Sequence, residues 1–318
     1  MKNRIAAIVS IALITIMAMM AGWIGLIRLT TPSIQANWTR GLYDRKIAAA
    51  HQIDGPRIFL IGGSGTHYGY SGADITRLTG LQTINFGIHA GLGMPYLLYR
   101  AKKVLRSGDF AVLIIEVPLN FSTTPTTVLS EFVLRYDLRY LLDVSLKDDL
   151  SLLFGYTPLD FIAGWARSRI PWTAEIGRPE TVGTNGDETL EVSHIQTPAD
   201  RSNLLNAGPM PTWPVDPNQP PPPLQDFFSW ATKHNVRFGI AWTPLLEKSD
   251  YKTLKYENFY HDIENWYKIN GGVVLGNHDE YNQPPENMFD FIMHANEKGR
   301  KAASQVLARH LSEVLTVQ

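Results

Sequence analysis

Ser64 stands in Gly62-Gly63-Ser64-Gly65, directly after the apolar run Arg57-Ile58-Phe59-Leu60-Ile61, and His294 stands four residues after Asp290 at the head of an amphipathic stretch. Serine is a weak nucleophile until a base takes its proton, and the base works best when a carboxylate fixes its tautomer. Ser64, His294 and Asp290 supply those three roles. An apolar run of strand length broken by glycines is how a buried parallel strand ends in a tight turn. Ser64 is therefore expected at the carboxyl edge of a sheet, with His294 at the same edge, within a hydrogen bond or one rotamer change of it. The flanking glycines tolerate positive φ and close approach of a ligand, and a helix just beyond would turn its free N–H groups toward a bound anion. The competing reading of this turn is a plain strand-to-loop junction with a surface serine.

The elements that must position these residues follow an α/β rhythm. Gly72–Leu78 reads as a short helix and Leu81–Phe86 as a second strand, followed by the glycine-rich Asn85-Phe86-Gly87-Ile88-His89-Ala90-Gly91-Leu92-Gly93. Pro95 opens a helix that stacks Leu97, Leu98, Ala101, Val104 and Leu105 on one face before Gly108 stops it. Phe110–Val117 is a third buried strand, Val236–Trp242 a fourth and Gly272–Leu275 a fifth. Tyr256–Ile269 carries Phe259, Ile263, Trp266 and Tyr267 on one helical stripe between the last two. Strands that are apolar throughout, separated by helices, predict a parallel sheet covered on both faces. The fold class expected is α/β: a three-layer sandwich with a five-stranded, flavodoxin-like parallel sheet.

An early strand ending in Gly-x-Ser, an Asn-x-Gly segment after the next strand, and a late Asp-x-x-x-His-x-Asn-x-x-Gly together resemble the SGNH (GDSL-like) hydrolase superfamily. Within it the chain is similar to membrane-anchored members that accompany exopolysaccharide and cell-envelope O-acylation, such as alginate O-acetyltransferase-like proteins. The resemblance covers about residues 55–120 and 234–315. It implies acyl transfer through an acyl-serine, to water as a carbohydrate esterase or to a polysaccharide hydroxyl as an O-acetyltransferase. It implies no metal or nucleotide cofactor, a polysaccharide or other acylated carbohydrate as substrate, and a membrane acyl-donor protein as partner for the transferase version. It also implies an oxyanion hole built from the backbone of Ser64 and of Gly91, or Ala90 if the register differs by one. Two such donors at about 3 kcal/mol each are chemically sufficient. The third strand ends Glu116-Val117-Pro118-Leu119-Asn120 where the family has Gly-x-Asn-Asp, so Asn120 is the candidate for the third donor and Glu116 for a pocket wall. A scaffold that has kept the fold, binds polysaccharide and lost turnover is the alternative, and the missing asparagine favours it. His67 and His89 flank the two turns, as cleft residues or as hydrogen-bonded structural histidines.

With 29 basic and 30 acidic residues among 318, the net charge is -1, which gives no field to recommend nucleic acid as a partner. No cysteine is present, so disulfides, thiol catalysis and cysteine metal sites are excluded. From Ile5 to Ile27 no residue is charged, and such a run crosses a hydrocarbon layer of about 30 Å as a helix. Lys2 and Arg4 before it favour a cytoplasmic N-terminus with the rest of the chain periplasmic or extracellular. The rival is a cleaved signal peptide ending near Ala18 or Ala21, which Trp23, Ile24, Leu26 and Ile27 argue against by prolonging the apolar run.

The organisation expected is an anchor at 1–29, a tether and leading helix at 30–54, an α/β domain of 55–120 and 234–318, and an inserted helical and proline-rich region at 121–233. In the insertion, Leu129–Leu142 and Leu150–Ala166 read as helices, and 209–223 holds eight prolines that oppose regular structure. Trp165, Trp172, Trp213 and Trp230 are sugar-stacking candidates set against the simpler role of packing. Gly276-Asn277-His278-Asp279 is similar to a metal-site signature of calcineurin-like phosphoesterases, but the early Asp-x-His and late Gly-His-x-His that such a dinuclear site needs are missing.

Overall fold

The computed structural model describes residues 2–116, 125–169 and 179–316. Asn120 and Trp172 lie outside them. The chain divides into two compact units, one of residues 1–40 with 124–173 and one of 41–123 with 174–318. This division by contact runs through the middle of the 121–233 stretch that its composition sets apart.

The second unit holds an α/β fold. Its strands are β1 (Ile58–Ile61), β2 (Thr83–Asn85), β3 (Phe110–Ile115), β4 (Arg237–Trp242) and β5 (Val273–Val274), all parallel in the order β2-β1-β3-β4-β5. That is the flavodoxin-like order, whose topological switch lies between β1 and β3, where crevices at the carboxyl edge collect ligands. Between β1 and β2 lie α3 (Ser64–Gly69) and α4 (Gly72–Thr79), and α5 (Gly93–Lys102) precedes β3. Later come α9 (Pro198–Asn206), α10 (Pro222–Lys233), α11 (Leu254–Ile269) and α12 (Glu297–Thr316). Strands β1, β2 and β3 are buried along their whole length, as the unbroken apolar sequences of β1 and β3 require, while in β2 the polar Thr83 and Asn85 are buried beside Ile84.

The amino end of the sheet is held by a buried ion pair. Arg57 Nη2 donates to Asp109 Oδ2 at 2.6 Å and Arg57 Nε to Oδ1 at 3.1 Å, while its other donors reach Ala50 O and Val104 O. Arg57, which sequence reading places at the start of an apolar strand, is thus fully buried with its guanidinium satisfied.

The outer edge of the sheet, β2, is covered by the middle of the insertion. Asn85 N donates to Asn185 O at 2.8 Å and Asn185 Nδ2 to Thr83 O at 2.9 Å. Gly186 takes φ +75° there, and a Cβ on it would lie 2.4 Å from Asn85 O, so this close approach requires glycine. Asp187 accepts from Gly72 N and Ala73 N and caps α4. Residues 185–187 of the insertion therefore close an edge that would otherwise stand bare.

The first unit is helical. Helix α1 (Lys2–Leu29) contains one segment, Arg4–Leu29, long and apolar enough to cross a membrane, with mean hydropathy 2.4. Its last turns, with Trp23 and Ile24 beside Ile27, pack on Leu134, Tyr156 and Phe161. Leu134 comes from α6 (Thr127–Tyr136), Phe161 from α8 (Pro158–Arg167) and Tyr156 from the link between α8 and α7 (Leu146–Phe154), whose Leu153 joins the same cluster. Helix α2 (Ile34–His51) begins in this unit, where Ser33 Oγ and N donate to the buried Glu131 carboxylate, which also pairs with Arg135. The expected Leu129–Leu142 helix stops at Tyr136, because Asp137 leaves helical geometry at φ −141°, ψ 54°, and a 3-10 turn continues to Leu142. The expected helix over Leu150–Ala166 is two helices. Thr157 N-caps α8 in a capping box with Asp160, and Pro158 at its first position cannot extend the preceding helix.

Candidate active site

Strand β1 ends at Ile61, and the chain turns through Gly62 and Gly63 into α3, whose first residue is Ser64. The turn leaves no room for side chains. A Cβ on Gly63 would sit 2.4 Å from Glu116 Oε2 and 2.6 Å from Ala90 N and Cα, and one on Gly65 would meet Thr243 at 2.7 Å. The turns after β1, β2, β3 and β4 thus converge on one point at the carboxyl edge of the sheet.

His294 reaches that point from a tight reversal before α12. Phe289 N donates to His294 O at 2.7 Å and His294 N to Phe291 O at 3.0 Å, which sets Asp290 and His294 on one side of the loop. Asn296 locks the reversal by donating to Glu286 O and Met288 O while accepting from Lys298 N and Gly299 N at the start of α12. Gly299 must lack a side chain, since a Cβ would lie 2.3 Å from Asn287 O. The spacing Asp-x-x-x-His-x-Asn-x-x-Gly therefore has a mechanical meaning: acid and base on the reversal, a cap that fixes it, and a glycine that lets the helix approach.

The three side chains meet. His294 Nε2 is 2.9 Å from Ser64 Oγ and His294 Nδ1 is 2.7 Å from Asp290 Oδ1. The imidazole is bracketed by Tyr68, with ring centroids 5.0 Å apart, and by Phe291 at 5.5 Å. Ser64 and His294 are half-buried and Asp290 is more open, so the three side chains are partly accessible to solvent. Tyr68 belongs to a small apolar cluster with Val192, Phe289 and Ile195, so the insertion contributes to the wall beside the base. Sequence reading missed that contribution, because nothing local in Val192-Ser193-His194-Ile195 marks it as more than a loop.

Of the expected backbone donors, Ala90 is the residue that lies against the Ser64 turn. The Gly91 N–H instead donates to His89 Nδ1 at 2.9 Å. The physical reason is that His89, extended at φ −143°, caps the 3-10 turn Ala90–Leu92 with its own ring. With Nδ1 accepting, the neutral ring carries its proton on Nε2. Burial, with the charge of His294 second, lowers the His89 pKa to about 4, which keeps it neutral.

Glu116 stands behind the nucleophile turn, at the end of β3. Its Oε1 accepts from Thr66 N at 2.7 Å and Thr66 Oγ1 at 2.9 Å. Burial pushes this carboxyl up, against the hydrogen bonds from Thr66 and Gly65 that pull it down. It therefore supports the α3 turn from beneath, where sequence reading offered it as a pocket wall.

His67 does not line the cleft. It is fully buried, with Nδ1 3.2 Å from Lys46 Nζ and Nε2 3.5 Å from Glu188 Oε2. Burial, then the Lys46 charge, lowers its pKa to about 4. Lys46 is buried as well and donates to Asn85 O at 2.8 Å and Gly186 O at 2.6 Å. Burial lowers its pKa to about 7, opposed by Asp187 and Glu188. Sequence reading left Lys46 out, although it lies three and four residues from Tyr43 and Leu42 on the inward stripe of α2, which was the available signal.

Of the remaining candidates, Trp213, Trp230 and the Gly276–Asp279 segment pack within the fold. Trp213 packs edge-on to Phe259 at 4.6 Å, and Trp230 stacks on His234 at 4.6 Å. Trp165 is exposed with the Arg169 guanidinium over its ring. In Gly276–Asp279, Asn277 caps a 3-10 turn and His278 stacks on Tyr260 at 3.8 Å. Among the described residues no three His, Asp or Glu side chains are grouped to hold a metal ion. No family model, no curated protein and no solved structure matches the chain.

Proposed function

We propose that the protein is an SGNH-type serine acyltransferase or esterase that acts outside the cytoplasm on O-acyl groups of a cell-envelope or exported polysaccharide. The observation that carries this reading is the continuous relay from Ser64 Oγ through His294 Nε2 and Nδ1 to Asp290 Oδ1, with links of 2.9 and 2.7 Å. In the reaction, Ser64 Oγ bonds to the acyl carbon as its proton passes to His294 Nε2, and the oxyanion forms against the turn backbones of Ser64 and Ala90. Collapse breaks the acyl–oxygen bond and the leaving hydroxyl takes the proton back from Nε2. A water or sugar hydroxyl then repeats the sequence in reverse and frees Ser64. Asp290 orients the ring and stabilises the imidazolium.

Supporting the family reading, α5 packs with α10 and α4 with α12, as the two outer layers of a three-layer sandwich would. Supporting the membrane location, α1 has the length and composition of a single span. The reading sets the α/β domain on the periplasmic or extracellular side, with a membrane acyl-donor protein as the partner in transfer. The test is covalent labelling of the full chain in detergent with a serine-directed fluorophosphonate. Modification at Ser64, lost in Ser64→Ala and in His294→Ala, is the expected result. A folded protein that binds polysaccharide and is never labelled at Ser64 would be a scaffold instead.

A further inference from the structure

The helical unit carries an apolar surface that the proposed chemistry does not use. Leu142, Leu146, Leu150 and Phe154 recur every four residues through the 3-10 turn and α7, and all are exposed. On α8, Leu159, Ile162 and Trp165 repeat the pattern at spacings of three. Exposure across these seven runs from 43 % at Trp165 to 86 % at Leu142, and α8 has no fully buried residue at all. A water-soluble surface rarely gathers that many large apolar side chains in under thirty residues, and contiguous patches of this kind mark a binding face.

What covers the face follows from where the two helices meet α1. A helix rises 1.5 Å per residue, so a hydrocarbon layer of about 30 Å entered near Ile5 is left about 20 residues later, near Gly25. Leu153 of α7, Phe161 of α8 and Tyr156 in the link between them cluster with Trp23, Ile24 and Ile27 of α1, at that depth. Trp23 meets Phe161 edge-on at 5.7 Å, which places an aromatic pair where interfacial aromatics sit. The stretch 138–169 balances four basic residues (Arg139, Lys147, Arg167, Arg169) against four acidic ones (Asp143, Asp148, Asp149, Asp160). Attraction to anionic headgroups is therefore not what would hold it.

We infer that α7 and α8 lie in the membrane interface as a collar around the end of α1, with Leu142, Leu146, Leu150, Phe154, Leu159 and Ile162 inserted among the upper acyl chains. The inference rests on the reading of α1 as a membrane span. It adds that the protein has a second, in-plane attachment driven by apolar burial. Such an attachment fixes the rotation and height of the helical unit on the bilayer, which a single span alone leaves free.

The chain has no cysteine, so one introduced cysteine carries one label. Full-length Leu150→Cys, Leu159→Cys, Ile11→Cys and Lys301→Cys, each bearing an environment-sensitive fluorophore, are reconstituted into neutral phosphatidylcholine vesicles and into vesicles with added phosphatidylglycerol. All four side chains are exposed in the structure, so labelling removes no packing. Lipids brominated high in the acyl chain should quench the label at 150 and 159 in both vesicle types, while aqueous iodide should quench the label at 301. Iodide quenching at 150 and 159 with lipid quenching kept at 11 would overturn the collar, leave the span intact and assign the face to a protein partner. Shielding of 150 and 159 from both quenchers would overturn it in favour of a second copy of the chain. Lipid contact that needs phosphatidylglycerol and disappears in high salt would overturn the apolar mechanism. Failure of lipid to quench the label at 11 would remove the span reading and the collar with it.

Discussion

The two ends of the parallel sheet use charged and polar side chains in opposite ways. At the amino end, Arg57 and Asp109 are sealed from water and every strong donor of the guanidinium has a partner. At the carboxyl end, Ser64, His294 and Asp290 form an equally short chain of contacts but stay open to solvent, and the backbone around them is packed so closely that Gly63 and Gly65 admit no side chain. A buried pair resists disruption because breaking it strands a charge. A half-open relay is of use because its hydrogen bonds can be exchanged for bonds to a substrate. On the proposed function, stability and reactivity are separated along the strand direction within one sheet.

The sharpest way to break this contrast is at the carboxyl end. Ser64→Ala and His294→Ala are each expected to lower the rate of cleavage of a short nitrophenyl ester by about 10⁴ to 10⁶, and the double variant by no more than the worse single one, because nucleophile and base act as a unit. The unfolding midpoint in urea should stay near that of the parent. Independent losses that multiply in the double variant would separate Ser64 from His294.

At the amino end the expectation reverses. Arg57→Met leaves Asp109 buried without its main partner and should cost about 3–5 kcal/mol of stability in urea unfolding, with turnover per folded molecule retained. A change within about 0.5 kcal/mol, the range of an ordinary surface substitution, would mean that the pair is not what holds this end.

The smallest effect concerns the buried His67, which shares its residue type with His294 and nothing else. Its folded pKa of about 4 lies below the ordinary 6.5, so between these values the unfolded chain binds a proton that the folded chain refuses. Stability then falls as pH drops through that window, by up to about 1.4 kcal/mol per pH unit for this group. His89 adds a second contribution in the same window. The groups facing His67 are Lys46, Glu188 and Arg300, with Tyr68 packed edge-on to its ring. His67→Gln should flatten the pH dependence of the melting temperature between pH 6.5 and 4 without removing it. An unchanged slope would show that His67 takes up its proton in the folded state.

Much of this architecture can be read from local sequence, for stated reasons. Apolar strands ended by glycines mark the sheet, and Ser64, Asp290 and His294 are visible because their chemistry demands fixed residue types at fixed spacings. The parts that escape are those whose meaning is set by distant partners. Lys46 looks like a surface lysine until residues 186–188 arrive to receive it. Gly91 reads as a residue with a free backbone N–H until the His89 ring, two residues away, takes it. The boundary at Thr157-Pro158 was readable, since a capping box with proline at its first position is a local signal, and aromatic content outweighed it.

Covering β2 with residues 182–188 also dictates an order of assembly. Those residues follow β2 by about a hundred positions in the chain, so during synthesis the sheet can form its first three strands while its outer edge still shows unpaired backbone groups. The exposed interval ends only when Asn185 docks on Thr83 and Asn85. Until then the bare edge is a template for pairing with another chain, so this docking closes an aggregation hazard as well as completing the sheet.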